Sequence, residues 1–180
     1  MTNPDIYETI DSLSAVSFSG VGFRHVAPYV DCRSAEGARQ FGGRWNPPNS
    51  FPVLYIALSM ESVAAEFRRM AARQGRSSED FLPRDVCTLQ IELQRVLDLR
   101  APEALRAVGL DLAVIRGGDM VPCQRVGDAA HKLGFEGILA PSATGVGETL
   151  VIFELKLRRD SRVVQRDRVT WNVLSDLAHP

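Results

Sequence analysis

Arg24, Arg44, Tyr55 and Glu66, joined from far downstream by Ser142, are the side chains of this sequence best equipped for chemistry. They offer guanidinium groups for phosphate, an aromatic face for stacking, a carboxylate and a hydroxyl. Guanidinium holds phosphate through paired, charge-assisted hydrogen bonds. A carboxylate stabilises the positive charge that grows on a sugar ring as its glycosidic bond breaks. The set suits cleavage of a glycosidic bond in an anionic nucleotide. Competing chemistries have little support. His25, His131 and His179 are scattered with no metal-ligand spacing, so no metal is expected. The serines lack a nucleophile-elbow context, and neither a P-loop nor a GxGxxG is present.

The stretch from Ser34 to Glu66 must position most of these groups. Upstream of it, Val21, Phe23 and His25 alternate with Gly22, Arg24 and Val26, the period of a strand, which turns Arg24 away from the face of Phe23. An arginine there either reaches solvent from an edge or meets an anion. In SAEGARQF, Ser34 is the expected N-cap of a short helix that Gly42 and Gly43 stop. Arg44-Trp45-Asn46-Pro47-Pro48 then runs extended, because residues before proline avoid the helical region. Gly43 lets the backbone approach a ligand beside Arg44. Val53–Ala57 reads as a short strand with Tyr55 on the face of Val53 and Ala57. Ser59 can cap the following helix, whose apolar stripe is Val63, Phe67, Met70 and Ala71. Glu66 falls on the flank of that stripe, where it either lines a pocket or reaches water.

The remainder supplies a framework. Residues 73–85 read as a loop. Cys87–Leu93 alternates as a strand, continued by 96–99 after a turn or bulge, and Pro102 opens a short helix ended by Gly109. Residues 110–122 look irregular; Cys123–Leu133 looks helical and Phe135–Leu139 extended. The small-residue loop 141–147 leads into Leu150–Leu157, the longest strand-like apolar run. From Lys156 to Arg168 there are six basic and two acidic residues, a net of +4, read first as a solvated strand and only second as a nucleic-acid patch. Thr170 is the expected cap of a last helix, WNVLSDLA.

Composition narrows the class further. A chain of 180 residues with net charge −1 fits one domain and carries no global field toward nucleic acid or membrane. Cys32, Cys87 and Cys123 are odd in number and widely spaced, which argues against a disulfide framework. The acidic start MTNPDIYETI is no signal peptide, and no apolar stretch approaches ~18 residues, so a cytoplasmic protein is expected.

Two segments, EGARQFGGRWNPP and LYIALSMESVAAE, extended by PCQRVGDAAHKLGFEGILAPSATGVG, carry a specific resemblance. From about Phe23 to Glu154 the sequence resembles the RES-domain family, toxins of RES–Xre toxin–antitoxin pairs, and is most similar to its mycobacterial NAD⁺ phosphorylase branch. The resemblance implies an α+β fold, a single RES-type domain with a mixed twisted sheet and short helices, like that of ADP-ribosyltransferases. Residues 1–19 would be an N-terminal extension and 156–180 a C-terminal strand and helix. It implies cleavage of the nicotinamide–ribose bond of NAD⁺. Inorganic phosphate would be the favoured acceptor, with water or a protein side chain as alternatives and a non-catalytic nucleotide-binding module as the other class. Glu66, ionised near an arginine, would stabilise the oxocarbenium-like state; Arg24 and Arg44 would bind pyrophosphate, Tyr55 would stack on nicotinamide, and Ser142 would bond ribose or carboxamide. Thr149 stands where many members carry Asn. No cofactor would be bound permanently, and an Xre-like antitoxin would cover the pocket.

Overall fold

The computed structural model describes residues 5–178, so Met1–Pro4 of the acidic start and His179 lie outside it. In chain order the elements are α1 (Ile6–Ser12), β1 (Val16–Val26), α2 (Glu36–Phe41), β2 (Val53–Ala57), α3 (Met60–Arg73) and β3 (Arg84–Asp98). They continue with α4 (Pro102–Ala107), α5 (Leu112–Arg116), α6 (Val121–Lys132), β4 (Gly137–Pro141), β5 (Glu148–Phe153) and β6 (Arg162–Trp171). The strands form one mixed sheet in the order β1-β2-β5-β4-β3-β6, with β3 and β4 the parallel pair.

β1 does more than flank β2. It pairs with β3 over most of its length, from Val16↔Val96 to Val26↔Asp85, while touching β2 at Phe23↔Ala57. Five strands thereby close into a ring, and β6 is added outside it along β3. Alternation then assigns each side chain to the inside or the outside. Leu54, Ile56, Leu89, Ile91, Leu150 and Ile152 fill one cluster inside the ring. Gly22 on β1 leaves that space open, since a Cβ there would stand 2.2 Å from Ile56 Cγ2. Outside, α3 packs Val63 and Phe67 against Phe23, Ala57 and Trp171. α6 covers the outer face of β4 and β5 through Val126, Ala129 and Ala130. Burying a side chain as large as Phe67 contributes roughly 2–3 kcal/mol.

Several expectations are corrected. β3 is one continuous strand of 15 residues, and β5 ends at Phe153, so Leu150–Leu157 is not the longest strand. A helix, α5, occupies part of the segment read as irregular; the Asp111 side chain caps it by accepting from Val114 N at 2.8 Å. Ser34 is not the cap of α2; Ala35 holds that position without a side-chain bond. Thr170 belongs to β6 and donates to Asp85 Oδ1 at 2.7 Å, and the expected last helix is a 3-10 turn at Leu174–Ala178. Cys32 and Cys87 are joined in a disulfide, because the segment after β1 folds back over β3 and brings their Cα atoms to 6.0 Å. Cys123 is free and buried. Among the described residues no helix is long and apolar enough to cross a membrane.

Candidate active site

Glu66 is carried by a helix whose start is fixed: Ser59 Oγ accepts from Ser62 N at 3.1 Å. With Val63, Phe67 and Ala71 buried against the sheet, the neighbouring flank turns Glu66 toward β5. There Thr149 Oγ1 donates to Glu66 Oε1 at 3.2 Å. Burial raises the carboxyl from 4.5 to about 7, and the Thr149 bond offsets only part of that rise. The expected pairing of Glu66 with an arginine is not made: among the described residues the carboxyl has no ion pair, and Arg69, one turn on, donates instead to Ala143 O and Arg116 O. A half-buried carboxyl with a raised pKa and no ion pair is a functional signal more often than a structural one.

Tyr55 shares this face. It pairs with Val151 on β5, two residues from Thr149, so strand geometry puts Tyr55 and Thr149 on a diagonal of roughly 7 Å. Its hydroxyl donates to Asn46 Oδ1 at 2.7 Å and accepts from Trp45 N at 2.9 Å, while the residue as a whole is half-buried. Burial of the hydroxyl holds its pKa above the usual phenol range. Gly43 serves this arrangement: a Cβ there would stand 2.4 Å from the Tyr55 hydroxyl oxygen. Tyr55→Phe leaves the Trp45 amide and Asn46 Oδ1 unpaired, a loss of about 1–3 kcal/mol. The melting temperature should fall by ~3–10 °C, which thermal denaturation checks.

The Arg44 guanidinium is buried at 9% exposure, donating from Nη2 to Gly117 O at 2.9 Å and more weakly from Nη1 to Val114 O at 3.4 Å. Arg69, one turn beyond Glu66 on α3, donates to Ala143 O at 2.6 Å and Arg116 O at 3.4 Å. Burial lowers its pKa, and the nearby Arg44 and Arg73 charges lower it further. Ser142 is brought near but not freed. Its buried hydroxyl lies 2.8 Å from Thr144 Oγ1 and accepts from Thr144 N at 3.2 Å, so it shapes its own loop.

Arg24 is not brought to this corner. It shares the inner side of β1 with Gly22 and Val26, and reaches toward Glu154 at the far end of β5 from Thr149. Its Nη1 and Nη2 donate to Cys32 O at 2.8 Å and Ser34 O at 2.7 Å, and burial lowers its pKa against the opposing charges of Glu154 and Asp31. It therefore acts as a staple for residues 27–35. Arg24→Gln should lower stability by roughly 1.5–3 kcal/mol, the scale of charged hydrogen bonds. Thermal or chemical denaturation of the variant beside the wild type checks this.

Sequence reasoning does not point to Arg69, Asn46 or Ser62. Helical spacing to Glu66 is the signal that could have found Arg69, and the same rule reaches Ser62, four residues before the carboxyl. Ser62 Oγ is buried without a partner, close to where a Cβ on Gly147 would lie, at 3.5 Å. Asn46 offers no such signal, because its role depends on the fold of 43–46.

Comparison with known proteins adds three findings. The RES domain matches residues 22–172, which extends the match through β6. The chain is 37% identical over 155 residues to the NAD(+) phosphorylase MbcT of Mycobacterium tuberculosis and of Mycobacterium bovis, covering 85% of this chain and 83% of theirs. The crystal structure of the M. tuberculosis MbcT–MbcA toxin–antitoxin complex contains a chain that matches with a TM-score of 0.89 at 34% identity, over 96% of this chain and 94% of that one.

Proposed function

Because the chain belongs to the RES-domain family, we propose that it is an NAD⁺ phosphorylase, the toxin of a toxin–antitoxin pair, which cleaves the nicotinamide–ribose bond and so depletes NAD⁺. The observation that carries this reading is the Glu66 carboxyl, raised in pKa by burial and held by Thr149 on the same face as the half-buried Tyr55. Nicotinamide stacks on the tyrosine ring. As it departs with the electron pair of the C–N bond, positive charge develops on the ribose, and Glu66 as the carboxylate stabilises it. Thr149 positions the carboxylate. Arg44 retains unsatisfied donors for the dinucleotide pyrophosphate. Inorganic phosphate accepts the ADP-ribosyl group, and no permanently bound cofactor takes part in this reading.

An antitoxin of the Xre-like class neutralises the protein by covering this face. We assign the protein to the cytoplasm, where its substrate is abundant. A disulfide is unusual in that compartment, so alkylation of Cys32 and Cys87 in intact cells checks the assignment.

Incubating the protein with NAD⁺, with and without inorganic phosphate, tests the function when products are identified by mass. Nicotinamide with phosphorylated ADP-ribose, formed only when phosphate is present, is the expected result. Free ADP-ribose regardless of phosphate would make the protein a glycohydrolase. ADP-ribose found on a protein from added lysate would make it a transferase, and no turnover in any setting would leave a binding module.

A further inference from the structure

Three arginines border the rim formed by α3, the end of α5 and the loop 142–147: the Arg44 charge acts on Arg69, and Arg116 lies beside them. Arg44 Nη2 and Arg69 Nη2 donate to neighbouring carbonyls, Gly117 O and Arg116 O. Arg69 Nη1 reaches across to Ala143 O at 2.6 Å. The Arg116 guanidinium lies over the same loop, its Cζ 3.5 Å from where a Cβ on Gly145 would stand. Some arginines elsewhere find acidic partners, as in Arg100–Asp98 and Arg168–Asp85, both at 2.7 Å. None of Arg44, Arg69 and Arg116 makes an ion pair among the described residues.

Like charges placed near one another without an ion-pair partner raise the free energy of the site, and an anion relieves it. The backbone carbonyls fix the direction of two of the three forks but use only part of their five donors each. Accessibility separates the members. Arg44 is buried, whereas Arg69 is half-buried and Arg116 exposed. Gly145, at φ +81°, takes a backbone conformation that side chains rarely adopt, and the Arg116 guanidinium lies in van der Waals range of it. Arg69 is three residues from Glu66 on one helix, a separation of roughly 5–6 Å between Cβ atoms. The two head groups flank the base of the loop, Arg69 at Ala143 and Glu66 at Thr149.

We propose that Arg69 and Arg116 form the seat of the inorganic phosphate acceptor, distinct from Arg44, which serves the dinucleotide; this rests on the phosphorolytic reading above. A phosphate dianion held there attacks the anomeric carbon with one oxygen as the C–N bond breaks. The C–O bond replaces the C–N bond, nicotinamide leaves neutral with the electron pair, and the proton of the acceptor passes to Glu66 or to water.

Steady-state kinetics with phosphate and NAD⁺ varied independently, on the wild type, Arg69→Gln and Arg116→Gln, tests the assignment. Calorimetric titration of each protein with inorganic phosphate alone accompanies it. The expected result is a KM for phosphate raised roughly 10- to 100-fold in each variant, the scale of one charged contact. The KM for NAD⁺ should stay within about twofold, and phosphate heat should be lost. Arg116→Gln is the safer variant, because the Arg116 guanidinium makes no hydrogen bond among the described residues; melting curves confirm that both variants fold. An unchanged phosphate KM in an active phosphorylase overturns the seat while sparing the function. A raised KM for NAD⁺ alone reassigns the arginines to the pyrophosphate and also overturns it. If the wild type releases ADP-ribose and neither uses nor binds phosphate, the phosphorylase reading and the seat both fail.

Discussion

Glu66→Gln should release nicotinamide from NAD⁺ more slowly than the wild type by roughly 10²–10³-fold, the usual loss when one preorganised electrostatic group is removed. The same substitution should stabilise the fold above neutral pH. Folded Glu66 titrates near 7 where the unfolded chain titrates near 4.5. Below 4.5 the carboxyl is protonated in both states and costs nothing. Between 4.5 and about 7 the folded state holds a proton that the unfolded state has lost, so stability falls as pH rises through that window. Above it, the charge is buried at a cost on the order of 2–3 kcal/mol. Glutamine keeps the shape and the bond to Thr149 without the charge. The variant should melt ~4–10 °C above the wild type at pH 8, and close to it at pH 4. Paired melts at the two pH values decide this. An equal gap at both would mean that the carboxyl is solvated, and unchanged turnover would remove Glu66 from the chemistry.

Gly127→Ala is the second large effect, and it acts from outside the site. Gly127 lies in the middle of α6, where glycine lowers helix stability, yet a Cβ there would stand 1.8 Å from Trp45 O and 2.7 Å from Trp45 C. Both contacts are backbone, so no side chain can turn aside. Either α6 or the segment 43–46 must shift, at a cost of about 3 kcal/mol or more. The melting temperature should drop by at least ~6–12 °C. Because Arg44 precedes Trp45, and Trp45 N donates to the Tyr55 hydroxyl, the shift reaches two site residues at once. A displacement near 1 Å in such groups is worth up to ~10²-fold in rate. Gly37→Ala in α2 is the control: nothing lies within 4 Å of its Cβ, so that variant should be neutral or slightly more stable. Similar behaviour of the two variants would contradict the close approach of α6 to Trp45.

The parts of the site that depend on local rules are legible in the sequence. Tyr55 sits in a short strand, Glu66 on the flank of a capped helix, and Pro102 at the start of α4, each as spacing and capping dictate. The family resemblance rests on the same segments. What escapes depends on where distant segments meet. Alternation does turn Arg24 from Phe23, but only the closure of β1 onto β3 shows that this side is the inside of a ring. The bond between Cys32 and Cys87 spans 55 residues, and cysteine spacing contains no trace of it. Gly43 promises room for a ligand; the room is taken by a tyrosine 12 positions later, a fact of three dimensions. Ser34 has the right side chain for a cap, yet its carbonyl is drawn to Arg24 and the helix begins two residues on.

Ring closure also has a consequence for synthesis. β1 is made early, but its main partner, β3, begins about 60 residues later, and β5, which supplies Thr149, comes another 50 residues on. A chain leaving the ribosome lengthens by ~5–20 residues per second, so for several seconds β1 waits with its hydrogen-bonding edges unmatched. During that time Glu66 has no Thr149 to hold it and Tyr55 has no strand beside it to complete the face. The proposed capacity to consume NAD⁺ should therefore arise in one late step, after β5 has emerged, and chains cut short before β5 should be catalytically silent.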